Sequence, residues 1–461
     1  MTDSPQNAQT KRDIAAWIDS HADQIVKFCS SFVSYQSVTG DELGVQRDFL
    51  HPFFKDSMKW DEVDLSSVVS DKERPNLWSV DTGKERPNLT GVMKGTGGGR
   101  SLLFNGHVDV VPVTQSQLVL WTVDPWNAGA KDGKLYGRGS SDMKGGITSM
   151  IWAVKALMDL GVKTKGTVGM EAVVGEEEME HGIGTTGATK RLLDKGYHFD
   201  FAVDTEPTYN EIHPMSSGMF SMEIYVQGKT VHTSSRNRMH FPQRAGLDFG
   251  DAVGVDALPK LLGILDTLQR LAADWVQRWR SPVWGGGGYP MPTDFQGLGL
   301  ASISVDVLQA GDMMGMIPGF AKASLLVTYP PWVTKDDAFS EVKKAIDSYV
   351  VLDTWLKQHP PKVTTPHSWP PYETDPNHPG CQTLARSFKE STGRDPVISG
   401  FRAVDDVVFL QKLGIPGVSL GPGDISLGCH GPDEYVPVDQ MIECTKALAF
   451  FILDWCGESE S

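Results

Sequence analysis

Leu102-Leu103-Phe104-Asn105-Gly106-His107-Val108-Asp109-Val110-Val111-Pro112 is the stretch on which the reading of this chain turns. An apolar run leads into His107 and Asp109 and stops at a proline. In a buried strand successive side chains alternate faces, so His107 and Asp109, two apart, point the same way at the strand's end. An imidazole beside a carboxylate there suits a metal ligand and the group that orients it. A structural His–Asp pair would explain this stretch alone equally well, so the rest of the chain has to decide.

At 461 residues the chain exceeds one simple core and predicts two domains. Hydrophobic content of 40% and charged content of 22% place it among ordinary soluble globular proteins. The net charge of −16 argues against general affinity for nucleic acid or an anionic membrane. Solubility explains that charge more simply than a field that draws in cations. The N-terminus lacks the apolar core of a signal peptide, and no later run reaches membrane-spanning length. The five cysteines are odd in number and scattered without metal-type spacing. They read as reduced thiols in a cytoplasmic protein.

Helical spacing of apolar residues runs from Ile14 to Val33. The hexapeptide at 72–77 returns at 84–89, one copy and too short for a solenoid, which suggests a strand beside an inserted loop. Gly95 and Gly97–Gly99 lack the context of a phosphate loop and read as a turn into the opening strand. A loop with Trp121 and Trp126 then leads to Ser140-Ser141-Asp142-Met143-Lys144-Gly145-Gly146 and an apolar-faced helix. Asp142 suits either a helix N-cap or a metal ligand at the helix mouth. The strand Gly166–Val174 ends in Gly175-Glu176-Glu177-Glu178, and the strand Phe199–Asp204 runs into Thr205-Glu206-Pro207-Thr208. Strands and helices thus alternate, with acids at the strands' carboxyl ends. That pattern predicts an α/β domain with a mostly parallel sheet and its site at the strand tips.

The character changes at 212–332. Strands near 219–226, 300–307 and 321–329 and a helix over 255–279 predict an inserted α+β lid or dimerisation domain, a four-stranded antiparallel sheet with helices on one face. Pro330-Pro331 marks its exit. The expected division is therefore 1–211 and 333–461 for the catalytic domain and 212–332 for the insert. The second catalytic part reads as helices near 335–350, 379–392 and 404–413, with strands at 396–399 and 416–420. Cys429-His430-Gly431-Pro432-Asp433-Glu434 follows, and a last helix starts near Pro437.

His107, Asp109, Asp142, Glu176, Glu177, Glu206 and His430 all fall at or just past strand ends or a helix mouth. Two imidazoles among several carboxylates suit two divalent ions, with Zn²⁺, Co²⁺ and Mn²⁺ all compatible. Paired ions of this kind share a carboxylate and water.

Several stretches resemble the metallopeptidase family of aminoacylase, acetylornithine deacetylase, succinyl-diaminopimelate desuccinylase and the bacterial glutamate carboxypeptidase. They are Gly106–Pro112, Tyr136–Gly146, Gly175-Glu176-Glu177, Glu206-Pro207-Thr208, His430-Gly431-Pro432 with Glu434-Tyr435, and Gly228–Ser235 around His232. Together they cover essentially the whole chain. The resemblance implies a two-metal hydrolase of a small-molecule amide. Asp142 would bridge the metals, His107 and Glu206 would complete one site, and Glu177 and His430 the other. Asp109 would orient His107, and Glu176 would be the general base. His232, from the inserted domain and often from the partner subunit in this family, would stabilise the oxyanion. That implies a homodimer through the inserted domain. Within the acidic run, base and ligand read alternatively as Glu177 and Glu178, and Asp204 stands as an alternative to Glu206.

The chain departs from the family where a substrate carboxylate is commonly held. Gly315-Met316-Ile317-Pro318 replaces Asn-x-Ile-Pro, Thr328 stands in place of an Arg, and Asp406-Val407-Val408-Phe409 replaces Asp-x-Arg-Phe. An Arg fork suits a carboxylate, and Val or Thr does not replace it. Either Arg402, Arg236 or Arg238 substitutes, or the substrate lacks the usual carboxylate. Trp121, Trp126 and Trp284 are compatible with an aromatic substrate, and equally with core packing. The leading reading is a deacylase of a small N-acyl amino acid or related amide. The alternatives are a dipeptidase or aminopeptidase of the same chemistry, and a catalytically silent binding protein of the same fold.

Overall fold

The computed structural model describes residues 5–54, 59–64, 85–127, 129–177, 182–238, 253–281 and 301–459. The first copy of the hexapeptide repeat, Glu178, His181, His240 and Trp284 lie outside the described residues.

The strands are β1 (Lys59–Asp64), β2 (Pro87–Met93), β3 (Leu102–Asn105), the short β4 (Ala130–Lys131) and β5 (Lys134–Tyr136), β6 (Val168–Ala172) and β7 (Phe201–Asp204). Then come β8 (Gly218–Gln227), β9 (Ser302–Ala310), β10 (Phe320–Tyr329), β11 (Lys362–Thr364), β12 (Ser368–Trp369), β13 (Gly417–Ser419) and β14 (Tyr435–Pro437). The main sheet has the order β1-β2-β6-β3-β7-β13. β6, β3, β7 and β13 are mutually parallel, while β2 and β1 add antiparallel at one edge.

Alternation places the core. On β3, Leu102 and Phe104 enter one large cluster with the helices Gly145–Asp159, Pro379–Thr392 and Val438–Cys456, while Leu103 enters a smaller one on the other face. On β7, Phe201 and Val203 share the first cluster and Ala202 the second. Both faces of the central strands are covered, which is why they read as unbroken apolar runs. The helical face expected over 14–33 is split into Pro5–Ser20 and Ala22–Ser34. Near the break the Ser20 hydroxyl donates to the Trp17 carbonyl, the local competition that favours serine at helix ends.

The second sheet runs β11-β8-β10-β9, with β12 also on β8, and every pairing is antiparallel. Helices Ala257–Arg278 and Lys335–Val350 cover one face, pressing Leu261, Ile264, Leu268, Val342 and Ile346 onto Met222, Ile224, Ala323 and Leu325. Chain from beyond residue 332 also joins this sheet. Only three described strands come from 212–332. The rest of the sheet, and helix 335–350, come from the chain after the prolines. Those residues bury their apolar face against the second sheet, not the first. The strand expected at 396–399 is reduced to a single bridge, Ile212 to Ile398.

Candidate metal centre

The parallel strands deliver their carboxyl ends to one edge. Past β3, His107 still pairs with Val173 beyond β6, so the ladder reaches into the site. His107 Nδ1 lies 2.9 Å from the Asp109 main-chain carbonyl, an arrangement in which the ring donates there and leaves Nε2 as the ligating nitrogen. That Nε2 lies 3.2 Å from Asp142 Oδ1, 3.6 Å from Glu206 Oε1 and 3.9 Å from Glu176 Oε2. The Asp109 carboxylate stands 3.8 Å from the ring. It accepts instead from the main-chain N–H of Gly175 (3.0 Å) and Glu177 (3.2 Å), and from the Thr39 hydroxyl. Asp109, expected to orient His107, thus meets the ring with its backbone carbonyl and stands beside it with its carboxylate. Its carboxylate holds the turn that carries both glutamates.

Asp142 is set by a different device. β5 pairs with β14, which places Tyr136 opposite Tyr435 and brings Glu434 under the turn at 139–142. The Glu434 carboxylate accepts from the main-chain N–H of Gly139 (2.9 Å), Ser141 (3.0 Å) and Asp142 (3.1 Å), and from Arg138 Nη1 at 2.6 Å. Gly139 has φ +80°, a left-handed turn suited to glycine. The following helix starts at Gly145 with Lys144 in the cap position, so Asp142 is no N-cap. A Cβ on Gly146 would fall 1.8 Å from the Thr205 carbonyl oxygen, so only glycine lets the helix mouth sit beside Glu206. Asp142 then turns one oxygen to each imidazole: Oδ1 to His107, and Oδ2 to His430 Nε2 at 3.5 Å. His430 Nε2 is also 3.0 Å from Glu177 Oε2. The His430 backbone adopts φ +58°, rare for a non-glycine residue and found where a site demands it. Its carbonyl accepts from Gln117.

The charges explain what such a cluster needs. Burial pushes the Glu176 and Glu206 carboxyls well above their usual range; His107 opposes this, and the neighbouring acids add to it. Burial also works against a charged Asp142, but the two imidazoles outweigh it and hold Asp142 low. The Glu177 carboxylate raises His430 to about 11, and Asp142 adds to this. Burial opposes charge on His107, yet Asp142, Glu206 and Glu176 together raise it. The cluster thus has more buried negative charge than its own side chains neutralise. Among the described residues, nitrogen and oxygen atoms of His107, Asp142 and Glu177 that could hold a metal ion lie within 4.8 Å of one another. Imidazole and carboxylate donors crowded round a shared aspartate fit borderline divalent cations.

The cluster floors a cavity of about 470 Å³. Its upper wall is Met219, Leu326 and Thr328 from β8 and β10, with Trp369, Phe401 and Arg402 beside them. Trp121 and Trp126 do not line it, and the side chains of Arg236 and Arg238 fall outside those described. Arg402 does line it, but its Nη2 donates to both oxygens of Asp424, at 2.8 and 2.7 Å. Asp204 is buried beneath the site, accepting from the Asp406 N–H, whereas Glu206 lines the cavity. His232 is exposed beside Ser234 and absent from the lining. Trp369, Phe401 and Asp424 were not singled out from the sequence. None stands in a motif, and only the pairing of β12 with β8 brings Trp369 to the wall.

A family model described as Peptidase family M20/M25/M40 matches residues 103–454. The chain is 29% identical over 381 residues to the N-formyl-4-amino-5-aminomethyl-2-methylpyrimidine deformylase of Bacillus subtilis, covering 80% of this chain and 83% of that protein. It is 28% identical to the succinyl-diaminopimelate desuccinylase of Gluconacetobacter diazotrophicus, covering 77% and 81%. In fold it is similar to a di-peptidase from Saccharomyces cerevisiae, with a TM-score of 0.71 at 15% identity over 98% of this chain and 99% of that one.

Proposed function

The chain belongs to peptidase family M20/M25/M40, and from that premise we infer that it is a metal-dependent amidohydrolase acting on a small N-acyl compound. Both curated relatives are named for removing an acyl group, formyl in one and succinyl in the other. The observation that carries the reading is Asp142, whose two oxygens face two different imidazoles with further acids on both sides.

We assign Asp142 to bridge two divalent ions, His107 and Glu206 to one of them, and Glu177 and His430 to the other. Zn²⁺ suits this donor set, as do Co²⁺ and Mn²⁺. Bound there, the ions would polarise the scissile carbonyl and make water acidic enough to deprotonate near neutral pH. Glu176 takes the proton from the attacking water and passes it to the departing amine nitrogen. Asp109 keeps Glu176 and Glu177 in register by gripping their turn. Glu434 does the same for Asp142.

A dipeptidase needs an acid to hold the substrate's free amine. The acids lining the cavity are Asp142, Glu176, Glu177 and Glu206, all assigned to the metals or to proton transfer. That favours the deacylase over the dipeptidase.

His232 lies outside the cavity of its own chain, which supports delivery from the partner subunit. Among the described strands β9 lies at the edge of its sheet, with Val305, Val307 and Leu308 exposed, a surface that soluble proteins normally cover. We therefore place a homodimer at the inserted unit. The five free cysteines support a cytoplasmic location, and no described helix is long and apolar enough to cross a membrane.

Glu176→Gln tests the reading. The variant should bind the same metal by elemental analysis while kcat falls by roughly 10²–10⁴. Full activity in this variant would move the base to another residue, Glu177 being the first candidate.

A further inference from the structure

The wall above the metal ligands says what the substrate looks like away from the reacting amide. Met219 and Leu326 stand on the face of β8 and β10 turned away from the helices. With Trp369 and Val408 they form an apolar cluster of their own, with Val404 at its margin. Met219, Leu326, Trp369, Phe401 and Val404 open into the cavity. No lysine lines it among the described residues, and its one arginine is Arg402. Asp424, itself 1% exposed, holds that guanidinium through a single nitrogen and is fixed in turn by the Ser426 N–H and hydroxyl. One acid against one guanidinium leaves the pair without net charge. Thr328 presents a hydroxyl next to the Ser302 hydroxyl, 3.0 Å away, a neutral polar spot at the rim.

Resting on the amidohydrolase reading, we propose that the substrate is an uncharged amide whose non-reacting part is apolar or aromatic, and that this cavity discriminates against a carboxylate beside the amide nitrogen. The physical reason is desolvation. A carboxylate laid against Met219, Leu326 and Phe401 gives up its water, and the one described cation beside it, Arg402, is already paired with Asp424. The carboxylate also sits above a floor of acids whose charge the metals only balance. A ring in the same place buries apolar area and loses nothing polar. Recognition is therefore by shape and apolar contact, with Thr328 and the Arg402–Asp424 pair as neutral polar markers.

N-(2-phenylethyl)formamide and N-formyl-L-phenylalanine differ only in the carboxylate. Calorimetric binding of each to zinc-loaded Glu176→Gln protein isolates recognition from turnover. The neutral amide should bind at least about tenfold tighter, the size expected when a charge is left unpaired. Thr328→Arg, which places a cation at the rim, should reverse or abolish that preference. Removing the pair as a unit, in Arg402→Gln/Asp424→Asn, should change the ratio of the two ligands by less than about threefold, because the pair carries no net charge. Equal or tighter binding of the acid overturns the proposal. So does a selective loss of acid binding in Arg402→Gln/Asp424→Asn, or no detectable binding of the neutral amide at millimolar concentration. If the neutral amide binds preferentially but wild-type protein cleaves neither compound, the amidohydrolase reading fails and the specificity assignment stands.

Discussion

Glu434 shows how much a single buried carboxylate does here without touching a ligand atom. It is fully buried and collects three main-chain N–H groups from the turn that carries Asp142, besides Arg138. Asp142 must offer two oxygens in two directions, and a turn free to rock would blur both. Glu434→Gln keeps the shape but leaves Arg138 buried with half a partner. It should cost about 3 kcal/mol or more in urea denaturation. Metal affinity should fall roughly tenfold to a hundredfold in a competitive chelator titration, as for other groups that position ligands. Unchanged affinity would mean that the turn is held by the helix behind it. The motif containing Glu434 was legible in the sequence, but this task was not, because Gly139 lies 295 residues away along the chain. Asp109 is a similar case. Two-residue spacing predicted a side chain beside His107, and the fold keeps the carboxylate 3.8 Å from the ring while also giving it the N–H groups of Gly175 and Glu177. Spacing gives the face on which a residue sits, and the neighbouring strand's unpaired N–H groups decide what it holds.

At the scale of elements, the strand ends were readable because an apolar run closed by glycine and an acid is a local signal. The share of the second sheet drawn from beyond residue 332 was not. β11 and β12 have three and two residues, too short for alternation to register, and helix 335–350 shows an apolar face without saying which sheet it meets. Nor does the sequence show that β6 and β7 carry acids away from the metal site. Glu171 on β6 is fully buried, accepting from Asn105 Nδ2 (2.9 Å) and Thr189 Oγ1 (3.0 Å). Burial pushes it up to about 8; those two donors pull it down in part, and Asp406 adds to the rise. A carboxyl whose folded pKa exceeds its unfolded value of 4.5 binds more protons in the native state. Its contribution to stability is complete below 4.5 and is lost as pH rises through about 8. Glu171→Gln removes that titration while keeping an acceptor for one of the donors. Wild type should therefore lose at least about 1 kcal/mol relative to the variant between pH 5 and pH 8.5. Urea denaturation of both proteins across this range checks it, since the metal site is common to both and cancels in the difference. Parallel stability curves would mean that Glu171 is ionised throughout.

At the scale of the whole molecule, the strand ends of the main sheet and the loops beside β5 and β14 supply five proposed ligands and a base, while the proposed oxyanion group lies on the other unit and outside the cavity. That separation carries a consequence that single-site variants do not reach. If the partner subunit's His232 completes each site, a dimer of His232→Ala subunits and a dimer of Glu176→Gln subunits are both inactive, for different reasons. Exchange of subunits between them yields a mixed dimer with one site that has its own Glu176 and its neighbour's His232. Random pairing at equal concentration makes half the dimers mixed, each with one competent site in two. Activity should return to about a quarter of the wild-type value as a symmetric two-fold interface re-forms. Val307→Glu in the exposed row on β9 should lower the regained activity and shift sedimentation toward monomer, because it places a charge at the centre of the apolar edge. A His232 that acted within its own chain would leave the mixture as inactive as its parents, and a His232 that did not act at all would leave the His232→Ala dimer active before any exchange. In the first case the inserted unit would be a lid over its own site, and the exposed edge of β9 would need another explanation.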